Sequence, residues 1–223
     1  TTAQSSQTAC LAGTYNPSTG STSSSACGDA SAGYYVPTTG QSSQTACSTG
    51  TYQNATGQSS CYIASAGYYV GQTGQSSQTA CSTGTYNPNN GSTSSAACIS
   101  ASAGYYVPTT AQSSQTACLV GTYQTLTGQS SCDDASAGYY VGQTGQSSQT
   151  ACSIGTYQAT TGQSSCDDAS AGYYVPTTAQ SSQTACSIGT YQTLTGQSSC
   201  DDASAGYYVP TTAQSSQTAC LVG

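Results

Sequence analysis

The chain has 223 residues, contains no Lys, Arg, His, Glu, Met, Trp or Phe, and owes its formal charge of −7 to Asp alone. With no imidazole, ammonium or guanidinium there is no base near neutral pH, no clamp for phosphate and no His metal ligand, so the composition points away from an enzyme and implies no cofactor. Nucleic acid is excluded as a partner because nothing can displace its counterions. Membrane insertion is excluded because apolar runs such as Ala32–Val36 fall far short of the ~20 residues that span a bilayer.

At the N-terminus, Thr1-Thr2-Ala3-Gln4 has neither the charged start nor the apolar stretch of a signal peptide, so any leader is expected upstream or already removed. From Cys10 onward a seventeen-residue unit repeats in two alternating versions, as in Cys132-Asp133-Asp134-Ala135-Ser136-Ala137-Gly138-Tyr139-Tyr140 and Gln149-Thr150-Ala151-Cys152-Ser153-Ile154-Gly155-Thr156-Tyr157. Version A opens on Cys and closes on a second Cys fourteen residues later, as Cys47 and Cys61; version B has Ala and Gln there, as Ala135 and Gln149. Paired units give one array over 10–46, 47–80, 81–117, 118–151, 152–185 and 186–219, with partial units at 1–9 and 220–223.

Two Cys that are present together and absent together behave as a bonded pair. This assigns Cys10 to Cys27, Cys47 to Cys61, Cys81 to Cys98, Cys118 to Cys132, Cys152 to Cys166 and Cys186 to Cys200. A bond across version B, such as Cys61 to Cys81, is the rival and does not explain the joint absence. Cys220 opens another A unit, and its partner is expected beyond Gly223. Thirteen Cys without His favour disulfides over zinc, which would need four converging thiolates, and disulfides imply secretion, a periplasm or a cell surface. Each short staple is worth about 3 kcal/mol by loop entropy, which matters because a unit this small cannot bury a core.

The A units opening at Cys10 and Cys81 carry three extra residues, expected in the turns Asn16-Pro17-Ser18-Thr19-Gly20-Ser21 and Asn87-Pro88-Asn89-Asn90-Gly91-Ser92. A 34-residue period also suggests tetratricopeptide helices, but Gly, Thr, Ser and Tyr are poor helix formers. Gly-Tyr-Tyr-Val, a turn and Gln-Ser-Ser-Gln suit two short strands joined by a loop. The fold class is therefore all-β or irregular: an elongated, disulfide-stapled tandem-repeat rod of hairpin-like units, with a β-solenoid as the alternative. In each unit the second Tyr position, as Tyr35 or Tyr52, is expected to pack between neighbours, and the extra Tyr of version B, as Tyr34, Tyr68 or Tyr139, to be more exposed. The preceding Gly, as Gly33, Gly50 and Gly67, marks a site of positive φ or close approach, not a phosphate loop, since no Lys accompanies it.

Cys152-Ser153-Ile154-Gly155-Thr156-Tyr157, followed by Thr161-Gly162-Gln163-Ser164-Ser165-Cys166, resembles the cysteine-rich ephrin-receptor-like repeat of large secreted and surface proteins, along the whole chain. The resemblance implies an elongated extracellular module and no chemistry. The B units depart from it by lacking both Cys, as at Ala64 and Gln78, so stacking on stapled neighbours or attached glycans is expected to compensate.

Two N-glycosylation sequons occur, at Asn54 and Asn90; Asn16 is blocked by Pro17. Pro-Thr-Thr at Thr38/Thr39, Thr109/Thr110, Thr177/Thr178 and Thr211/Thr212 suits O-glycosylation, against the plainer reading that these hydroxyls satisfy turns. The pairs Asp133-Asp134, Asp167-Asp168 and Asp201-Asp202 are expected to be solvated linkers in preference to Ca²⁺ ligands or a glycosidase dyad.

The function these features favour is a structural protein of an extracellular fibre, stalk or surface layer, bearing covalent glycans and associating with further copies of the array. An adhesin or receptor-like stalk that presents its Tyr row to carbohydrate or protein is the alternative. Ice binding by Thr ladders, suggested by Thr125-Leu126-Thr127 and Thr193-Leu194-Thr195, is a lesser option that requires a flat solenoid face.

Overall fold

A computed structural model describes residues 7–221, which leaves Thr1-Thr2-Ala3-Gln4 outside the described residues. Each repeat is a hairpin of two-residue strands. In the A repeat, Thr51–Tyr52 pairs antiparallel with Tyr62–Ile63; in the following B repeat, Tyr68–Tyr69 pairs with Thr79–Ala80. Twelve such two-stranded sheets follow one another, and among the described residues no strand pairs outside its own hairpin. The chain is thus an all-β tandem repeat of linked hairpins. Coils of a β-solenoid would instead share sheets from layer to layer. The described residues divide into two compact bodies, one reaching to Ala101 and taking in Val107–Gln115, the other formed by Ser102–Tyr106 and the residues from Thr116 on, and the same hairpin grammar runs within each.

The Gly before each first strand explains how hairpins this short are held. Gly50 has φ 78°, a conformation that costs an L side chain about 1–2 kcal/mol. Its N–H donates to Val70 O of the next hairpin at 2.8 Å, and its carbonyl accepts from Ala64 N at 2.9 Å. A Cβ added to it would run into the carbonyl oxygen of Gly91, two hairpins along. The contact recurs between Gly33 and Gly74, Gly104 and Gly145, and Gly121 and Gly162, so these hairpins touch both the next one and the next of their own version. Positive φ and close approach are therefore both required at this position.

Two more backbone bonds tie Gly50's hairpin to its successor: Gln53 N–H to Gln75 O at 3.2 Å, and Gly74 N–H to Cys47 O at 2.8 Å. Little apolar mass is buried beneath them. The opening position is buried as Cys or Ala, for example Cys47 and Ala64, and the position after the strand as Val in version B, for example Val70 and Val141. In version A that last position is a buried polar residue, Gln53, Asn87, Gln124, Gln158 or Gln192. Its amide is used at both ends: Gln53 Nε2 donates to Ser60 O at 2.8 Å, and Gln53 Oε1 accepts from Ala55 N at 3.1 Å. A burial that would otherwise cost a few kcal/mol becomes a loop brace.

Two expectations are corrected. The extra residues of the long A repeats do not lie in the Asn-Pro turns, because Asn87 N–H still bonds Gln112 O, Gly91 N–H still bonds Ala64 O, and Ser92 O still accepts from Val70 N, as in the shorter repeats. The added length is absorbed afterwards, in the 3-10 turns Ser24–Ala26 and Ser95–Ala97 just before Cys27 and Cys98. Nor is the extra Tyr of version B the exposed one, since Tyr34 and Tyr35 are both half-buried, as are Tyr139 and Tyr140. Tyr34 lies against Gly74 and Tyr105 against Gly145, two hairpins along, so the face that strand alternation assigns to solvent is covered by the next B repeat.

Candidate functional site

Six disulfides close the A hairpins: Cys10–Cys27, Cys47–Cys61, Cys81–Cys98, Cys118–Cys132, Cys152–Cys166 and Cys186–Cys200, with Cα–Cα distances of 5.5 to 5.9 Å. These distances are the usual ones for a disulfide. Cys220 is free and exposed. The B hairpins carry a different closure at the same place. Gln44 Oε1 accepts from Ser31 N at 2.7 Å, and the same bond joins Gln78 to Ser65, Gln149 to Ser136, Gln183 to Ser170 and Gln217 to Ser204 at 2.6–2.7 Å. Where version A has its second Cys, version B has an amide clasp. The clasp is hard to read from sequence because Gln in a Ser/Thr-rich repeat looks like one more solvated side chain, although its strict alternation with Cys is a usable signal.

The predicted modification sites are exposed, and their environments differ. Asn54 is exposed beside the buried Gln53. Asn90, also exposed, uses its side-chain oxygen to accept from Ala66 N at 2.7 Å in the preceding hairpin. In the Pro-Thr-Thr loops the first hydroxyl accepts a Gln amide: Gln41 to Thr38, Gln112 to Thr109, Gln180 to Thr177 and Gln214 to Thr211, at 2.8–3.0 Å. Thr39, Thr110, Thr178 and Thr212 are exposed beside them.

The Asp pairs are second strands of A hairpins, not linkers: Asp133–Asp134, Asp167–Asp168 and Asp201–Asp202 pair with Thr122–Tyr123, Thr156–Tyr157 and Thr190–Tyr191. Asp134 lies against Gly162 and Asp168 against Gly196, again two hairpins along. Among the described residues no three Cys, Asp, Glu or His side chains group so as to hold a metal. Thr125 and Thr127 belong to a hairpin loop, and among the described residues no sheet runs from hairpin to hairpin as the flat solenoid face for ice binding requires.

Two grooves repeat along the chain. One, of about 380 Å³, is lined by Tyr69, Val70, Gly71, Gln72, Gln75 and Thr79 with residues of the next hairpin. The other, of about 320 Å³, is lined by their counterparts Tyr140, Val141, Gly142, Gln143, Gln146 and Thr150. Neither lining contains a charged side chain.

Hairpins closed alternately by a disulfide and an amide clasp define a tandem-repeat, disulfide-rich all-β protein, and six disulfides point to an extracellular or otherwise oxidising environment. No described helix is long and apolar enough to cross a membrane. No protein-family model matches the chain, and no curated protein does.

Proposed function

We propose that the chain is part of a structural protein of an extracellular fibre, stalk or surface layer, in which copies of the array associate and carry covalent glycans. The observation that carries this reading is the closure of every second hairpin by a disulfide in repeats whose buried apolar side chains are only Val, Cys and Ala. Such repeats hold their form by covalent staples and neighbour contacts, which suits a long exposed assembly. The absence of Lys and Arg removes every trypsin site, and the resemblance to ephrin-receptor-like repeats points the same way.

The test is to isolate the native protein with alkylation and no reductant, to measure its intact mass, and then to map its disulfides after peptic cleavage. The expected result is six bonded pairs, hexose-sized mass increments, and recovery in an insoluble extracellular fraction. Free thiols throughout, or a soluble, monomeric and compact native protein by scattering, overturns the reading.

A further inference from the structure

We propose that the grooves at Tyr69 and Tyr140 bind uncharged saccharide. This goes beyond the structural role and does not rest on it. Four of the B hairpins begin their loop Val-Pro-Thr-Thr, from Val36, Val107, Val175 and Val209; the two grooved ones read Val-Gly-Gln-Thr-Gly, from Val70 and Val141. The exchange has two physical effects.

First, the place taken elsewhere by a Pro ring lies against the Tyr. A Cβ on Gly142 would stand 3.6 Å from Tyr140 Cε2, and one on Gly71 4.0 Å from Tyr69 Cε2. Gly there leaves the aromatic ring accessible from the groove. Second, Gln72 and Gln143 stand where Thr38 and Thr109 accept the amides of Gln41 and Gln112. Gln75 and Gln146 have no such hydroxyl to donate to, and they line the grooves.

Each groove therefore combines an aromatic ring with amides that can both donate and accept, and with Thr79 or Thr150 as a hydroxyl. A pyranose presents C–H groups to such a ring and vicinal hydroxyls to such amides. The volumes fall at the lower end of those that hold small ligands. With no cation in the chain and a charge of −7, neutral sugars are selected over sialylated or sulfated ones. Lining of amides and hydroxyls around one ring favours a sugar over a proline-rich peptide, which takes an aromatic-lined groove.

The experiment uses the full chain with its disulfides intact, enzymatically stripped of glycan, on an array of neutral, sialylated and sulfated oligosaccharides and a proline-rich peptide. A parallel arm measures self-association of glycosylated and stripped copies, which separates a foreign glycan from one carried by the array itself. Neutral saccharides are expected to bind and to shift the side-chain amide resonances of Gln75 and Gln146. Converting both loops, Gly71→Pro with Gln72→Thr and Gly142→Pro with Gln143→Thr, reproduces a sequence that four other hairpins accommodate and should reduce binding at least tenfold. Gln75→Ala with Gln146→Ala should do the same and decides the matter if the loop variant does not fold. Unchanged binding by a folded variant, preference for anionic sugars or the peptide, or no neutral saccharide bound overturns the proposal.

Discussion

At the residue scale, one backbone position carries most of the geometric demand. The loop position eleven residues into each repeat is usually Gly at positive φ, but three B repeats place Ala there: Ala111 at φ 63°, Ala179 at 59° and Ala213 at 59°. Each Ala stores about 1 kcal/mol of strain. Ala111→Gly and Ala179→Gly are each expected to raise unfolding free energy by about 1 kcal/mol, read from denaturant midpoints at constant slope. The Gly before the strand behaves in the opposite sense. Gly50→Ala combines strained φ with a clash against Gly91 O and is expected to cost about 3 kcal/mol or more. The need for Gly at this position was legible in its recurrence before Thr-Tyr or Tyr-Tyr. The contact two hairpins away was not, because sequence separation says nothing about which carbonyl will lie over a given Cα.

At the scale of the hairpin, A and B repeats reach the same closed form by unequal means. A disulfide of this loop length is worth about 3 kcal/mol, and a single hydrogen bond to a side-chain amide about 1 kcal/mol or less. Gln149→Ala, which strands the Ser136 N–H, is expected to cost about 1 kcal/mol and to speed exchange of that amide. Ala135→Cys with Gln149→Cys installs the A closure in a B hairpin. In air or a glutathione redox buffer, which takes up the two electrons, it should form a bond, visible as a loss of two hydrogen atoms in intact mass, and add up to about 3 kcal/mol. The disulfide pairing was legible because Cys47 and Cys61 vanish together where Ala64 and Gln78 appear. The buried braces Gln53 and Gln124 were not, since a Gln after the strand gives no sign that its own loop will satisfy both ends of its amide. The three-residue insertion was misplaced for a related reason. Asn-Pro-Asn-Asn-Gly looks like added turn, yet the shorter repeats already make that turn with Gln-Asn-Ala-Thr-Gly, and the added length emerges after it.

At the scale of the molecule, stability is shared between hairpins. Backbone bonds pass from each to the next, and Gly, Tyr and Asp contacts pass to the next but one. Reduction of the six disulfides is therefore expected to abolish amide protection in B hairpins as well as A, although B hairpins contain no bond to reduce. Retained protection at Val141 and Val175 under reductant would show instead that the B hairpins hold independently. Deletions separate the two ranges of contact. Removing residues 152–185, one A and one B hairpin, should leave melting nearly unchanged. Removing 169–185 alone sets two A hairpins side by side and should cost about 2 kcal/mol, with a lower melting temperature.

The contact between each hairpin and the next of its own version bears on how such a chain changes length. Tyr34 meets Gly74 within the B series, and Asp134 meets Gly162 within the A series. Like meets like only while the alternation is unbroken, so growth or loss by one hairpin puts a mismatched pair on either side of the joint. Duplication by two restores every neighbour. The array is thus a ruler with a single graduation, the A–B pair, and variation in copy number between related chains should come in even counts of hairpins.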